Sequence, residues 1–380
     1  RDGNFKWSQS FGSTGVDAGY GVALQPGSNA LVLTGNFSSS VTFATGNTLT
    51  SDGLSDIFVY KGDTNGNFTW VKKLGGKKND QPRDVAVDVA GNIYTTGYFS
   101  DSANFDPNGT YMVHGQVFYQ DIFVSKLNAS GNFVYASGFG GPMMAAGSEE
   151  PPKFFGEAIA VDAAGKAYVT GRIDYANVDF APGAEVYYAK SKGNSDIFVM
   201  GLTDAGNLSW VRTFGAAGND VGNGIALDDA GNIYTTGAFF NTIVFNPDPQ
   251  AAAPSLASAG SSDIFVHKIG QASCVSSLSP VIDEKACDTF HYGGVAYTTS
   301  QVFSALAVNA AGCDSMITIN LTVGKSSAPS LYTPPMQCDT FDFFGTVYTQ
   351  SGQYNQVLTN VAGCDSLVTI DLTIVHSSWD

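Results

Sequence analysis

The tetrapeptide Asp-Ile-Phe-Val occurs four times, at Asp56–Val59, Asp121–Val124, Asp196–Val199 and Asp263–Val266, spaced by 65, 75 and 67 residues. A chain that repeats one motif at such intervals folds as repeated units, and the unit limits the architecture. After the first three copies comes a Gly-Asn-x-x-aromatic element ending at Trp70, Tyr135 and Trp210. A further copy, Gly3–Trp7, precedes them all. Each repeat also holds an apolar segment with a central small residue: Gly21–Leu24, Val85–Asp88, Ile159–Asp162 and Ile225–Asp228. Turns at Gly91-Asn92, Gly165-Lys166 and Gly231-Asn232 follow three of these. Every repeat then has a segment ending Thr-Gly, at Gly35, Gly97, Gly171 and Gly237.

Four short strands per repeat, joined by Gly, Asn and Asp turns, are the content of one propeller blade. Strands near a propeller axis are crowded, so the segment carrying Ala23, Ala86, Ala160 and Ala226 is assigned to the inside. The composition agrees with an all-β reading: 44 Gly, 17 Tyr, 26 Phe and only 14% charged residues. The fourth repeat stops at Asp263–Val266 without its Gly-Asn-x-x-aromatic strand. Residues 4–11 are therefore expected to complete that blade and close four blades into a ring. The rival reading is that Arg1 marks a cut through a longer array.

Residues 1–273 contain no cysteine, whereas Cys274, Cys287, Cys313, Cys338 and Cys364 lie in the remainder. A second repeat, of 51 residues, relates Cys287 to Cys338 and Cys313 to Cys364. Each unit ends in an alternating strand: Ile317, Ile319, Leu321 and Val323, then Val368, Ile370, Leu372 and Ile374. Lys325–Met336 reads as the linker between units. Units this small have little core, and a disulfide in each would contribute about 3 kcal/mol. The expected bonds are Cys287–Cys313 and Cys338–Cys364, leaving Cys274 unpaired. Zinc is the alternative, although it favours closer pairs and four ligands. The expected fold is thus all-β: a β-propeller of four repeats over 1–273, then two small disulfide-stapled β-sandwich-like modules, 274–324 and 325–380.

The Asp-Ile-Phe-Val, Gly-Asn-x-x-Trp and Ala-Val-Asp-x-Ala-Gly-Asn-Ile-Tyr-Thr-Thr-Gly segments resemble the SBBP-type β-propeller repeat of secreted bacterial proteins. The Cys-Asp-Thr-Phe and Ala-Gly-Cys-Asp-Ser units resemble short tandem modules in surface proteins of Bacteroidota, cargo of type IX secretion. This resemblance implies export, an extracellular or outer-cell-surface location, and a compartment where disulfides form. It also implies O-glycosylation where Asp, Ser and an apolar residue follow one another, at Ser102, Ser315 and Ser366. The competing reading of those serines is a turn entering a strand.

A net charge of −16 repels phosphate backbones, so nucleic acid is not an expected partner. No apolar run approaches the ~18 residues of a spanning helix, so no membrane span is expected. The four histidines, His114, His267, His291 and His376, show no zinc-ligand spacing, and no nucleophile elbow or Walker loop occurs. Recurring acids such as Asp56, Asp121, Asp196 and Asp263 are read as strand-start acceptors of turn amides rather than a cation ring. Trp7, Trp70, Tyr135 and Trp210 are read as inter-blade packing rather than sugar platforms.

No cofactor is required by the sequence. Calcium is the one ion with candidate ligands: Asp63, Asn65 and Asn67 on one turn, Asp101, Asp106 and Asn108 on another. Turn chemistry accounts for the same residues. Function is expected in the divergent insertions, with Tyr111, Phe118, Tyr119, Tyr187 and Tyr188 as binding aromatics. The expectation is a non-catalytic adhesion or binding protein, its ligand a polysaccharide or a cell-surface protein and its tail a spacer. The alternatives are a structural component of a surface layer or appendage, and an accessory region of a larger secreted enzyme.

Overall fold

The computed structural model describes residues 3–115, 120–141, 153–174, 177–181, 188–245, 255–270, 281–292, 295–308 and 314–377. They form strands and no helix, and they divide into two compact units: Arg1–Ser277 with Leu306–Met316, and Leu278–Ala305 with Ile317–Asp380.

Among the described residues, the first unit holds four successive antiparallel sheets, one for each sequence repeat, numbered as blades 1 to 4. Blade 1 holds β1 (Ala18–Leu24), β2 (Ala30–Phe37), the hairpin β3 (Ser40–Ala44) and β4 (Asn47–Thr50), then β5 (Asp56–Asp63) and β6 (Phe68–Gly76). Blade 2 repeats this with β7 (Gln81–Val87), β8 (Ile93–Phe99), hairpin β9 (Ser102–Asn104) and β10 (Met112–His114), β11 (Asp121–Leu127) and β12 (Phe133–Phe139). Blade 3 has β13 (Phe154–Val161), β14 (Ala167–Asp174), hairpin β15 (Asn177–Asp179) and β16 (Tyr188–Lys190), β17 (Ser195–Leu202) and β18 (Leu208–Phe214). Blade 4 has β19 (Val221–Leu227), β20 (Ile233–Phe239), hairpin β21 (Thr242–Val244) and β22 (Ser255–Ala257), and β23 (Asp263–Ile269).

Within a blade the strands pair antiparallel in chain order, with the hairpin inserted in sequence between the second and third: β1-β2-β5-β6, β7-β8-β11-β12, β13-β14-β17-β18 and β19-β20-β23, and β6 also pairs at its end with β9 of the next hairpin. The first strands of successive blades lie against one another, β1 to β7, β7 to β13 and β13 to β19, as the assignment of the alanine-bearing strand to the inside requires. Blade 4 therefore has three strands among the described residues. Residues 4–11, expected as its fourth, form no strand and instead lie along blade 1. There the Trp7 indole N–H donates to Thr64 O at 2.9 Å, and Gln9 Nε2 to Gly66 O at 2.8 Å. Trp7 thereby meets the Gly66 turn as Trp70 meets Gly131 and Tyr135 meets Gly206, the contact that a fourth strand makes to the blade that follows it, while no strand pairing joins the segment to β23 among the described residues.

Packing between blades obeys one rule. The Ile and Val of Asp-Ile-Phe-Val point to the next blade, where they meet the alternate apolar residues of its first strand. Ile57 and Val59 pack with Val85 and Val87; Ile122 and Val124 with Ile159; Ile197 and Val199 with Ile225 and Leu227. These six Asp-Ile-Phe-Val side chains are fully buried, each contributing about 1.5–3 kcal/mol. The intervening Phe points the other way and receives a Phe from its own hairpin: Phe43 on Phe58, Phe105 on Phe123, Phe180 on Phe198, and Phe245 on Phe265, with ring centres 4.7–5.3 Å apart. The Phe-x-Pro insertions are thus anchored by their first residue.

The second unit contains two modules. In the first, β24 (Val281–Cys287) runs parallel to β28 (Asp314–Gly324), which also pairs with β27 (Gln301–Val308); β25 (Phe290–Tyr292) and β26 (Val295–Tyr297) form a hairpin. In the second, β29 (Ser327–Tyr332), which the sequence suggested was linker, runs parallel to β34 (Asp365–Leu372), and β33 (Gly352–Thr359) lies on its other side. The short strands β30 (Gln337–Cys338) and β35 (Ile374–Val375) pair in parallel, and β31 (Phe341–Phe343) with β32 (Thr346–Tyr348) repeats the hairpin. Ile317, Ile319 and Leu321, and likewise Ile370, Leu372 and Ile374, are buried, as their alternation predicts.

The disulfide expectation is corrected. Cys287 is bonded to Cys364, 77 residues away, so neither Cys287–Cys313 nor Cys338–Cys364 forms; Cys338 is an exposed thiol, and Cys274 and Cys313 lie outside the described residues. The cause is the seating of the turn before Cys364. Cys287 ends β24 opposite Gly324, and a Cβ on Gly324 would touch Cys364 Sγ, so only glycine admits the turn there. Asn360 Nδ2 donates to Lys325 O at 2.8 Å and fixes it. Spacing alone counted residues within a unit and missed that the second module's turn folds over the first module's strand end.

Non-reducing proteolysis with mass spectrometry is expected to recover the Cys287–Cys364 peptide pair. Cys364→Ser is expected to destabilise the tail by roughly 4 kcal/mol, the value for a loop of this length, read from denaturant melts.

Candidate functional site

The residues singled out from the sequence serve mainly as turn formers and inter-blade contacts. Asp63 Oδ1 accepts from the N–H groups of Asn65 and Asn67, and Oδ2 from Asn67 Nδ2, which holds the carboxyl below its usual pKa. Gly66 supplies the positive φ of +87° that this turn needs. The same turn recurs at Asp88, Asp162, Asp228 and Asn128, so it is hairpin chemistry common to the repeats. Asp101 occupies the left-handed region at the start of its hairpin (φ 68°). Asp106 Oδ1 accepts from Asn108 N, while Asn108 Oδ1 takes the Lys72 ammonium at 2.8 Å. Asp63, Asp106 Oδ1 and Asn108 Oδ1 thus accept from amide donors and a cation in these turns. Among the described residues, no group of three or more His, Cys, Asp or Glu stands close enough to hold a metal.

The aromatic series is inter-blade contact. A Cβ on Gly131 would touch the Trp70 ring, one on Gly206 the Tyr135 ring, and one on Gly66 the Trp7 ring, so each aromatic covers the glycine turn of the next blade. Tyr111 is exposed and stacks on Phe133 with centres 4.5 Å apart. Tyr188 lies on β16; Phe118, Tyr119 and Tyr187 are outside the described residues. Ser102 Oγ hydrogen-bonds His114 Nδ1 at 3.0 Å. Ser315 and Ser366 both sit on final strands, and the Ser366 hydroxyl is enclosed.

A different row of residues has the character of a site. The first strand of every blade is bulged at one place, between Gly19 and Gly21, Pro82 and Asp84, Gly156 and Ala158, and Gly222 and Gly224. The extra residues are Tyr20, Arg83, Glu157 and Asn223. A bulge leaves one residue out of the ladder and re-aims its side chain. Here the backbone feature repeats while the chemistry changes at each blade: phenol, guanidinium, carboxylate, amide. Three of them touch in turn. The Arg83 guanidinium lies 5.7 Å from the Tyr20 ring centre, and its Nε is 3.5 Å from Glu157 Oε2. Arg83 also stands over Tyr98 and Phe155, and Arg172 lies 4.4 Å from the Phe155 centre. Tyr20 and Asn223 are exposed, Arg83 and Glu157 half-buried. The spacing rule that hid these residues could have found them: each sits between two small or turn-forming residues just before the apolar segment, where the other positions keep their type and this one does not.

Carboxylates recur at fixed places in the repeat, Asp56, Asp80, Asp196 and Asp220 buried and Asp263 half-buried. Asp56 Oδ2 accepts from Asp52 N at 2.7 Å, Asp196 Oδ2 from Lys192 N at 3.1 Å and Asp263 Oδ2 from Ala259 N at 2.9 Å, the strand-start role expected of them. Asp80 joins Gly76 N to Ser100 N, and Asp220 joins Ala216 N to Phe240 N, each tying one blade to the next. Burial pushes Asp56 up to about 6 and Asp80 up to about 7, and raises Asp196 and Asp220 in the same direction.

Comparison with known proteins agrees with the repeat. The family model for SBBP, a beta-propeller repeat, matches residues 69–106 and 210–238, so the chain carries repeats of this kind. The chain is 25% identical over 190 residues to an uncharacterized WD repeat-containing protein, L264, of Acanthamoeba polyphaga mimivirus. That match covers 46% of this chain and 13% of the viral protein.

The buried acids set a pH dependence. Their folded pKa values lie above the unfolded value near 4, so the folded state holds protons that the unfolded chain releases. Their contribution to stability is complete below about pH 4 and is lost as pH rises through 6 and 7. Asp56→Asn keeps an acceptor for Asp52 N and removes one titration. Its melting temperature is expected to fall less than that of the unaltered chain between pH 4 and pH 8, measured by circular dichroism.

Proposed function

We propose that this chain is a non-catalytic extracellular or cell-surface binding protein whose propeller holds a polysaccharide along the row of bulge residues. The observation that carries the reading is the row itself: one backbone device in each blade, presenting Tyr20, Arg83, Glu157 and Asn223. Sugars are recognised by an aromatic face for the apolar side of the ring and by planar polar groups for adjacent hydroxyls. Phenol, guanidinium, carboxylate and amide in succession supply that set, and a repeating ligand suits a repeating row. The exposed Tyr111 and Met112 on the blade 2 hairpin extend the surface available for contact.

The tail acts as a spacer. Its Cys287–Cys364 bond favours export to a compartment where disulfides persist, in keeping with a Bacteroidota surface protein released by type IX secretion. A structural role in a surface layer or appendage is the second reading, favoured by the apolar faces at the two ends of the blade series.

A panel of soluble polysaccharides immobilised for affinity electrophoresis tests the proposal on the full chain. Retention by one class is expected, weakened about ten-fold by Tyr20→Ala, a loss of ~1.4 kcal/mol. Tyr20 is exposed, so its removal should leave the melting temperature unchanged. No retention on any member, or retention indifferent to Tyr20→Ala and Arg83→Gln, would sink the reading.

A further inference from the structure

The packing rule that joins the blades is broken at both ends of the series, and the two breaks are complementary. In blades 1 to 3 the Ile and Val of Asp-Ile-Phe-Val are fully buried against the next blade; in blade 4, Ile264 is 86% and Val266 77% exposed. In blades 2 and 3 the receiving residues Val85, Val87 and Ile159 are buried; in blade 1 their counterparts Val22 and Leu24 are 65% and 56% exposed. The glycine contacts say the same. A Cβ on Gly156 would strike Thr96 Oγ1 and come within 3.3 Å of Ile122, and one on Gly222 would strike Thr170 Oγ1 and come within 3.2 Å of Ile197. The equivalent Gly19 has nothing within 4 Å, and the equivalent Thr236 is exposed.

The fourth strand is divided in the same way. Blade 4 shows none among the described residues, while residues 3–13 lie where the fourth strand of a blade before blade 1 would lie. Trp7 covers Gly66 as Trp70 covers Gly131. Asp17 accepts from Ser13 N and Ser38 N as Asp80 does from Gly76 N and Ser100 N. Behind this segment, a cleft of about 370 Å³ opens between Phe11, Tyr20, Val22 and Phe58.

We propose that the blade 4 face and the blade 1 face form a head-to-tail joint between two copies of this chain. In it Ile264 and Val266 of one copy seat against Gly19, Val22 and Leu24 of the next, and residues 3–11 of that next copy add the fourth strand beside β23. The joint continues an interface that the molecule already makes three times. Its two halves stand unfilled together in one chain, so the four blades do not meet each other to close it. A second copy carries the missing half in the same geometry that blade 2 offers blade 1. Such a contact is heterologous: repeated, it closes a ring of copies or extends as a filament.

The test uses the full chain with single substitutions Gly19→Cys and Ile264→Cys, separately and combined. At the two junctions where a glycine holds this place, a Cβ on Gly156 would lie 3.3 Å from the Ile122 side chain and one on Gly222 3.2 Å from that of Ile197, so the chosen positions would be neighbours in such a joint. Mixing the two single variants under mild oxidation is expected to yield a covalent dimer whose digest contains the 19–264 linked peptide. Sedimentation of the unaltered chain is expected to show concentration-dependent association. Val266→Asp, at a solvent-exposed site, is expected to weaken that association at least ten-fold without lowering the melting temperature. A 19–264 bond formed only within single molecules of the double variant would show that the chain closes on itself, and would overturn the joint. A monomer at all concentrations with no 19–264 peptide would overturn it as well.

Discussion

The seating of two β-branched side chains against the first strand of the following blade is the contact on which the propeller depends. It sets the spacing of blades, fixes which face of each sheet is apolar, and requires a small residue where neighbouring backbones approach most closely. Because Ile and Val of one motif face forward while the Phe between them faces back, each four-residue motif serves two layers at once. The hairpin Phe that covers the backward-facing Phe completes the layer from within the blade. Blade-to-blade cohesion and blade-internal cohesion are therefore written into alternate residues of a single strand.

Much of this was legible in the sequence because repetition multiplies weak signals. A single Asp-Ile-Phe-Val says little, but four copies with the same turns around them define strand, register and inner edge together. Where a residue recurs, its structural role was read correctly: the strand-start aspartates accept turn amides, and the Gly-Asn-x-x-aromatic residues cover the next blade's turn. The reading faltered where the answer depended on which copy touches which. Residues 4–11 keep the fourth strand's contact to the Gly66 turn of the blade that follows, yet they pair with no strand among the described residues, so periodicity does not say which third strand they join. The cysteines had the spacing of bonds within modules, yet Gly324 leaves room for the turn of the neighbouring module. Sequence periodicity defines the unit; it does not choose between contacts within a unit and contacts between units.

The candidate site was hidden for the opposite reason. Attention to divergent insertions pointed to the outer loops, whereas Tyr20, Arg83, Glu157 and Asn223 vary inside the most regular strand of the repeat. A β-bulge is invisible to an alternation count, since one extra residue looks like a slip of register rather than a feature. The side chain it releases leaves the alternation of the ladder, and so can differ in type from blade to blade while the strand keeps its pairing. The aspartates nearby cannot vary in this way, since a carboxylate oxygen of each accepts a backbone N–H of the preceding turn.

The bond between Cys287 and Cys364 has a mechanical meaning. It joins the end of the first strand of one module to the last turn of the other, so the chain from β25 to β33 lies within a covalent loop while β24, β34 and β35 flank it. A pull applied to the ends of the tail would run along β24, through the two sulfur atoms and along β34. The enclosed chain, 77 residues by its separation and about 260 Å if drawn out straight, could not be paid out as slack. Under oxidising conditions the tail would behave under load as a short tether of nearly fixed length, and reduction of a single bond would turn it into a long, yielding one.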